Sequence, residues 1–292
     1  MKTTLISATE LAALPPGEVL IVDCRKDLAD PAKGRRDYLD GHVPGAVYAE
    51  LDTDLSDLSL QAQGLGRHPL PSAEAFSVVL GRWGWRPGLQ VVAYDAANGA
   101  LAAARLWWLL RFAGERAVAV LDGGWAAWQA AGLPVETVVP QRVATMVAVQ
   151  FDPAQVVLDH AALHAAPAPL LIDARAAPRY RGDVEPLDPV AGHVPGARNR
   201  PFNDNLDAAG RFKSAVELRR DFLAMLGPCA PAGVVHMCGS GVTACHNLLA
   251  MEHAGLAGSR LYAPSWSGWV SDRSRPVATG GEQLAAATTR GP

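Results

Sequence analysis

The chain has no Cys-x-x-Cys pair, no apolar run approaching the length of a membrane span, and no marked excess of either charge. Without paired cysteines, neither a zinc ribbon nor a thioredoxin-type redox motif is indicated. The four cysteines present, Cys24, Cys229, Cys238 and Cys245, are too few and too scattered in 292 residues to read as a disulfide framework. They are buried structural thiols, or one of them is catalytic. A spanning helix needs roughly 20 apolar residues. The N-terminal MKTTLISATELAALPPG has one lysine and a broken apolar stretch, without a signal-peptide core or small-residue cleavage site. A cytoplasmic protein with no membrane partner is expected. The net charge of −3 gives no sign of a nucleic-acid partner, and Arg35-Arg36 and Arg219-Arg220 read as solvated surface.

What is there is a globular composition, 49% hydrophobic and 19% charged, long enough for each half to bury its own core. The halves repeat one another. Val19-Leu20-Ile21-Val22-Asp23-Cys24-Arg25 has its counterpart in Leu170-Leu171-Ile172-Asp173-Ala174-Arg175, apolar runs ending in Asp-x-Arg. Gly41-His42-Val43-Pro44-Gly45-Ala46 recurs unchanged as Gly192-His193-Val194-Pro195-Gly196-Ala197. Val91-Val92-Ala93-Tyr94-Asp95 pairs with Val234-Val235-His236-Met237-Cys238, and Gly124-Trp125-Ala126-Ala127-Trp128 shares its Trp spacing with Ser265-Trp266-Ser267-Gly268-Trp269. Two homologous domains follow, 1–138 and 153–285, joined by a linker over 139–152 where prolines break the pattern.

Residues 72–83, 99–113 and 214–226 have the spacing of amphipathic helices, and they alternate with apolar runs. The fold class is therefore α/β, with a mostly parallel sheet in each domain and helices on both faces. Ligands of such sheets bind beyond the carboxyl ends of the strands, where Asp95 and Cys238 fall. The tryptophans at 83, 85, 107, 108, 125 and 128 read as core and domain-interface packing. Asp23, Arg25, Asp173 and Arg175 read as ties between strand ends. His42 and His193 read as structural, because both halves carry one and only one half has the cysteine.

Chemistry concentrates in Cys238-Gly239-Ser240-Gly241-Val242-Thr243-Ala244-Cys245. A tight Gly-containing turn between a strand and a helix turns successive N–H groups inward as an anion-binding nest, reinforced by the helix N-terminus. A thiol centred there ionises more easily, and the same nest would hold a persulfide. Gly239-Ser240-Gly241-Val242-Thr243-Ala244 formally matches a dinucleotide fingerprint, but no acidic residue ends the next strand at the required distance. A cysteine phosphatase needs an Arg six residues after the Cys, where Ala244 stands. A sulfur-binding module without turnover is the remaining rival. Asp95 shows that the first domain lacks the thiol, while the second retains it.

The loop from Cys238 to Thr243, with the Asp-x-Arg, Gly-His-Val-Pro-Gly-Ala and Trp segments, resembles the 3-mercaptopyruvate sulfurtransferases of the tandem-domain rhodanese family over nearly the whole chain. The resemblance implies two tandem rhodanese-like domains, the first catalytically degenerate. It implies a sulfurtransferase that needs no cofactor and no metal. Sulfur would pass from a small-molecule donor through a Cys238 persulfide to cyanide, a thiol or a thioredoxin-like acceptor. Thiosulfate-using members carry two cations after the Cys, where this chain has Gly239 and Ser240, which favours 3-mercaptopyruvate over thiosulfate. By position, Arg179 would bind the donor carboxylate, with Arg181 as the lesser candidate. Gly239, Gly241, Val242 and Thr243 would cradle the donor. The family's second substrate Arg falls at Asp188, a departure that weakens the case for strict mercaptopyruvate specificity and leaves sulfur transfer untouched. The Ser–His–Asp relay proposed for the family maps onto Ser240, His68 and Asp57, which would place the site between the domains.

Overall fold

A computed structural model describes residues 1–281 of the chain. Strands β1 (Leu5–Ile6), β2 (Val19–Asp23), β3 (Val47–Tyr48), β4 (Gln90–Tyr94) and β5 (Val118–Leu121) form a sheet in the order β1-β5-β4-β2-β3. Strands β6 (Val156–Val157), β7 (Leu170–Asp173), β8 (Arg198–Asn199), β9 (Val234–Met237) and β10 (Arg260–Tyr262) repeat that arrangement as β6-β10-β9-β7-β8. Every pairing is parallel. The register sets Asp23 beside Tyr94 and Asp173 beside Met237, so Asp95 and Cys238 leave matching sheet edges. Residues 282–285, expected within the second domain, lie outside the described residues.

The central strands are continuous apolar runs because both sheet faces are covered. Alternation along β2 sends Leu20 and Val22 into one core and Val19 and Ile21 into another. The first of these cores is shared: it runs from Leu20 and Phe76 through Leu106 and Leu109 to Leu248 and Leu261 in the second half. Helices Ala103–Phe112 and Ala244–His253 lie in it, the former buried at every residue but Arg111. A helix enclosed on nearly all sides has little room for a polar face, and the one that carries Arg105 there is accordingly apolar almost throughout.

Side chains terminate the helices as their chemistry dictates. Ser72 accepts the N–H of Ala75 at 3.1 Å to start the helix Ala73–Arg82, and Ser214 with Glu217 forms a capping box at Ala215–Leu226. The stretch expected as helix from residue 99 becomes helical only at Ala103, because the Asp95 carboxylate draws the preceding amides into a turn. Residues 137–152 have no regular structure but are tied to the first half. Thr145 N–H bonds Gly81 O at 3.0 Å, Val149 N–H bonds Ser77 Oγ at 3.0 Å, and Phe151 stacks on Phe112 at 4.4 Å.

The repeated motifs do the same work twice. Arg25 pairs Asp23 at 2.6 Å and donates to Gly41 O at 2.6 Å, while Arg175 pairs Asp173 at 2.7 Å and donates to Gly192 O at 2.7 Å. His42 stacks on Tyr38 and His193 on Tyr180, each with Nδ1 on that tyrosine's carbonyl.

Candidate active site

Strand β9 delivers Cys238 to the floor of a cleft of about 520 Å³ between the two halves. Only 2% of the residue is exposed, so a reactant must enter the cleft to meet its sulfur. The cysteine is pinned from behind by the segment that follows β10. Its N–H donates to Ser265 Oγ at 3.1 Å, and its carbonyl accepts the N–H of Trp266 at 3.0 Å. Ser265 in turn donates to Tyr262 O at 3.0 Å. Ser265 holds φ +53°, the left-handed region its counterpart Gly124 occupies at +57°. A side chain accepts that backbone cost where it performs a task, here the positioning of the Cys238 amide. Sequence reasoning passed over Ser265; the mismatch of Ser with Gly within the repeat was the available signal.

The first half shows what such a loop binds. The Asp95 carboxylate accepts five backbone N–H groups: Ala97 and Gly99 at 2.8 Å on one oxygen, and Leu101, Ala102 and Ala103 at 3.1 Å on the other. The loop after β4 is an anion nest filled by its own side chain. In the matching loop after β9, the amides of Gly239, Ser240, Gly241, Val242 and Thr243 have no protein acceptor among the described residues. Such a loop has its amides free to meet an anion beside Cys238.

His68 crosses from the first half. Its Nδ1 lies 2.8 Å from Ser240 Oγ and its Nε2 lies 3.4 Å from Asp52 Oδ1. With Nε2–H directed at the Asp52 carboxylate, Nδ1 is the nitrogen that accepts from the Ser240 hydroxyl. Burial pulls the imidazole below its ordinary value, with Asp52 opposing, so it is neutral at pH 7 and able to accept a proton. His68, together with Lys26 at 2.6 Å, holds Asp52 down at about 2. The expected acid, Asp57, is not in this chain of contacts. It caps the turn Leu58–Gln63 by accepting from Ser59, and Asp54 pairs with Arg82 at 2.6 Å. Of the three carboxylates, only Asp52 faces His68, because the short helix Leu51–Asp54 turns it toward the cleft.

Arg105 ties both loops together. Fully buried in the shared core, it donates to Gly241 O at 3.0 Å and to His68 O at 3.1 Å. No carboxylate pairs with it among the described residues, and its Nε has no partner. Sequence reasoning missed it because an Arg in an apolar helix from the other half gives no local sign of its destination.

Arg179 lines the cleft beside Cys238 and is held by Glu185 at 2.6 Å and by Asp188 at 3.4 Å. Arg181, the lesser candidate, does not reach the cleft. Two residues along a helix turn about 200°, and Arg181 faces solvent and pairs with Asp183 at 2.6 Å. Gly239, Val242 and Thr243 line the cleft, whereas Gly241 does not. At φ +76° it presses against Ala263, and its carbonyl serves Arg105, so it shapes the loop. Burial pushes the Cys24 thiol up and the Cys245 thiol to about 12, which keeps both protonated.

Residues 7–131 match the model of the rhodanese-like domain. A Pseudomonas aeruginosa protein, provisionally named a 3-mercaptopyruvate sulfurtransferase, is 47% identical over 94% of this chain and 98% of its own. A Mycobacterium tuberculosis protein, provisionally named a thiosulfate sulfurtransferase, is 41% identical over 94% and 97%. The solved 3-mercaptopyruvate sulfurtransferase of Escherichia coli superposes with a TM-score of 0.76 at 31% identity, covering 91% of this chain and all of its own. With that kinship over almost its full length, and with a cysteine seated in a rhodanese loop, the chain belongs to the rhodanese-like sulfurtransferases.

Proposed function

We propose that the enzyme moves sulfur from 3-mercaptopyruvate to a thiophilic acceptor through a Cys238 persulfide. The observation that carries this reading is the pairing of an uncharged Gly239-Ser240 loop with a guanidinium, Arg179, at the same cleft. A 2-oxo acid needs a cation for its carboxylate and room for its neutral thiol end. A dianionic donor would call for cations within the loop itself.

In the first half-reaction the Cys238 proton passes through Ser240 to His68, and the thiolate attacks the donor sulfur. The S–S bond forms as the donor C–S bond breaks, and the electron pair goes to the methylene carbon as the enolate of pyruvate. The proton held at His68 returns to that carbon. In the second, a thiolate or cyanide attacks the outer sulfur and releases Cys238. The open amides of residues 239–243 would stabilise the sulfur anion at each stage, and splitting the transfer in two lowers each barrier. The acceptor is a thiol or a thioredoxin-like protein, and the compartment is the cytoplasm.

Steady-state kinetics with mercaptopyruvate and thiosulfate, each with cyanide and a thiol as acceptor, tests the reading. The expected kcat/KM favours mercaptopyruvate at least tenfold, about 1.4 kcal/mol of discrimination, and Cys238→Ser abolishes turnover. A preference for thiosulfate would assign the donor named for the mycobacterial relative. Activity with neither would make the protein a persulfide carrier or sensor.

A further inference from the structure

Asp188 stands where the family carries a second substrate Arg, and its side chain is only 2% exposed. A buried carboxylate demands a cation, and one of the two that meet it comes from the other half of the molecule. Arg67 Nη1 forms an ion pair with Asp188, and Arg179 Nη2 approaches the same carboxylate at 3.4 Å. Arg67 is fixed in the main chain as well: its N–H donates to Ser267 Oγ at 2.9 Å, and its carbonyl accepts from Gln61 at 2.8 Å.

The two guanidinium groups converge over the residue that follows the nucleophile. A Cβ placed on Gly239 would lie 2.9 Å from Arg67 Nη2 and 3.7 Å from Arg179 Nη1. Each arginine gives some of its donors to carboxylates but keeps one of these nitrogens, Arg67 Nη2 and Arg179 Nη1, without a protein acceptor among the described residues. Both side chains line the Cys238 cleft, and Arg67 remains 30% exposed. The arrangement offers a carboxylate two N–H prongs from two directions. A side chain at position 239 would project into the space between them.

We propose that Arg67, held in place by Asp188, is the second carboxylate-binding residue of the donor site, working as a pair with Arg179. Asp188 thus relocates the second cation of the site from position 188 to position 67, on the other domain. The inference rests on the reading of the donor as a 2-oxo acid.

The test is donor kinetics on the full chain as wild type, Arg67→Met, Arg67→Lys and Arg67→Met with Asp188→Arg, each measured well below its own melting temperature so that only folded enzyme is compared. Loss of one charge-assisted hydrogen bond to a carboxylate costs roughly tenfold to a hundredfold in affinity. Arg67→Met is expected to raise the mercaptopyruvate KM by about tenfold or more with a much smaller fall in kcat. Arg67→Lys should lie between, and adding Asp188→Arg should lower the KM again by returning a cation to position 188. An unchanged KM, a loss confined to kcat, or a raised KM that Asp188→Arg does not lower would each assign Arg67 to the scaffold and overturn the proposal. A wild type that releases no sulfur from mercaptopyruvate would instead overturn the donor reading, and the role of Arg67 with it.

Discussion

Replacing Asp95 with Ala removes one side chain that is no part of the Cys238 loop, yet it tests the central claim about the loops. Five amides converge on that carboxylate, at distances from 2.8 to 3.1 Å, in a residue with no exposed surface. A hydrogen bond to a charged group contributes about 1.5–3 kcal/mol, and each buried donor left unsatisfied costs about 1–3 kcal/mol. Water entering the hole and relaxation of the turn recover part of this. The expected loss is about 3–5 kcal/mol, the scale measured when one partner of a buried charged contact is deleted. Urea unfolding followed by far-UV circular dichroism measures it directly. If the loop is an anion nest, about 0.1 M formate should recover part of the loss, because a small carboxylate can re-enter the hole. A loss below about 1 kcal/mol would show that the converging amides do not favour an anion. The inference drawn for the Cys238 loop would then lose its support.

The relay makes a prediction about pH. Because burial holds His68 below the ordinary histidine value of about 6.5, the acidic limb of kcat/KM should lie below pH 6.5. Asp52→Asn removes a group that raises this pKa, so the limb should move to lower pH, while Asp57→Asn should leave it in place; a shift with Asp57→Asn alone would reverse the assignment. A second prediction concerns stability. Burial holds His236 and His246 at about 3 in the folded chain, whereas they titrate near 6.5 when unfolded. The unfolded chain therefore binds more protons between those limits. The contribution is complete above pH 6.5 and is lost as the pH falls toward 3, by about 1.4 kcal/mol per pH unit for each histidine. Urea titrations at pH 7, 6 and 5 should show that slope for the pair, reduced in His246→Asn, and a flat profile would contradict the burial argument.

The fold was legible because the chain states it twice. The shared hexapeptide and the Asp-x-Arg strands fix the register of one half against the other, and the strand ends then place Asp95 and Cys238 at matching positions. What periodicity could not reach were contacts between the halves. Nothing local in the apolar helix Ala103–Phe112 tells that Arg105 bonds the backbone of both His68 and Gly241. Asp52, Asp54 and Asp57 are equivalent on paper, and the choice among them depends on how one short helix faces the cleft. Asp188 read as a defect because its partner, Arg67, is distant in sequence and lies on the other domain.

The apolar core that spans both halves has a mechanical consequence. Opening the cleft by swinging one half away from the other would drag the helices Ala103–Phe112 and Ala244–His253 apart and wet the side chains between them. At about 25 cal/mol for each Å² of apolar surface exposed, even a few hundred Å² would cost several kcal/mol. Opening of that kind is therefore disfavoured, and the packed core holds the cleft near its present volume. Traffic to Cys238 runs through the mouth of the cleft, where Leu28 and Leu187 stand exposed. With the walls so held, a donor must fit the standing opening before it meets Arg179 and Cys238.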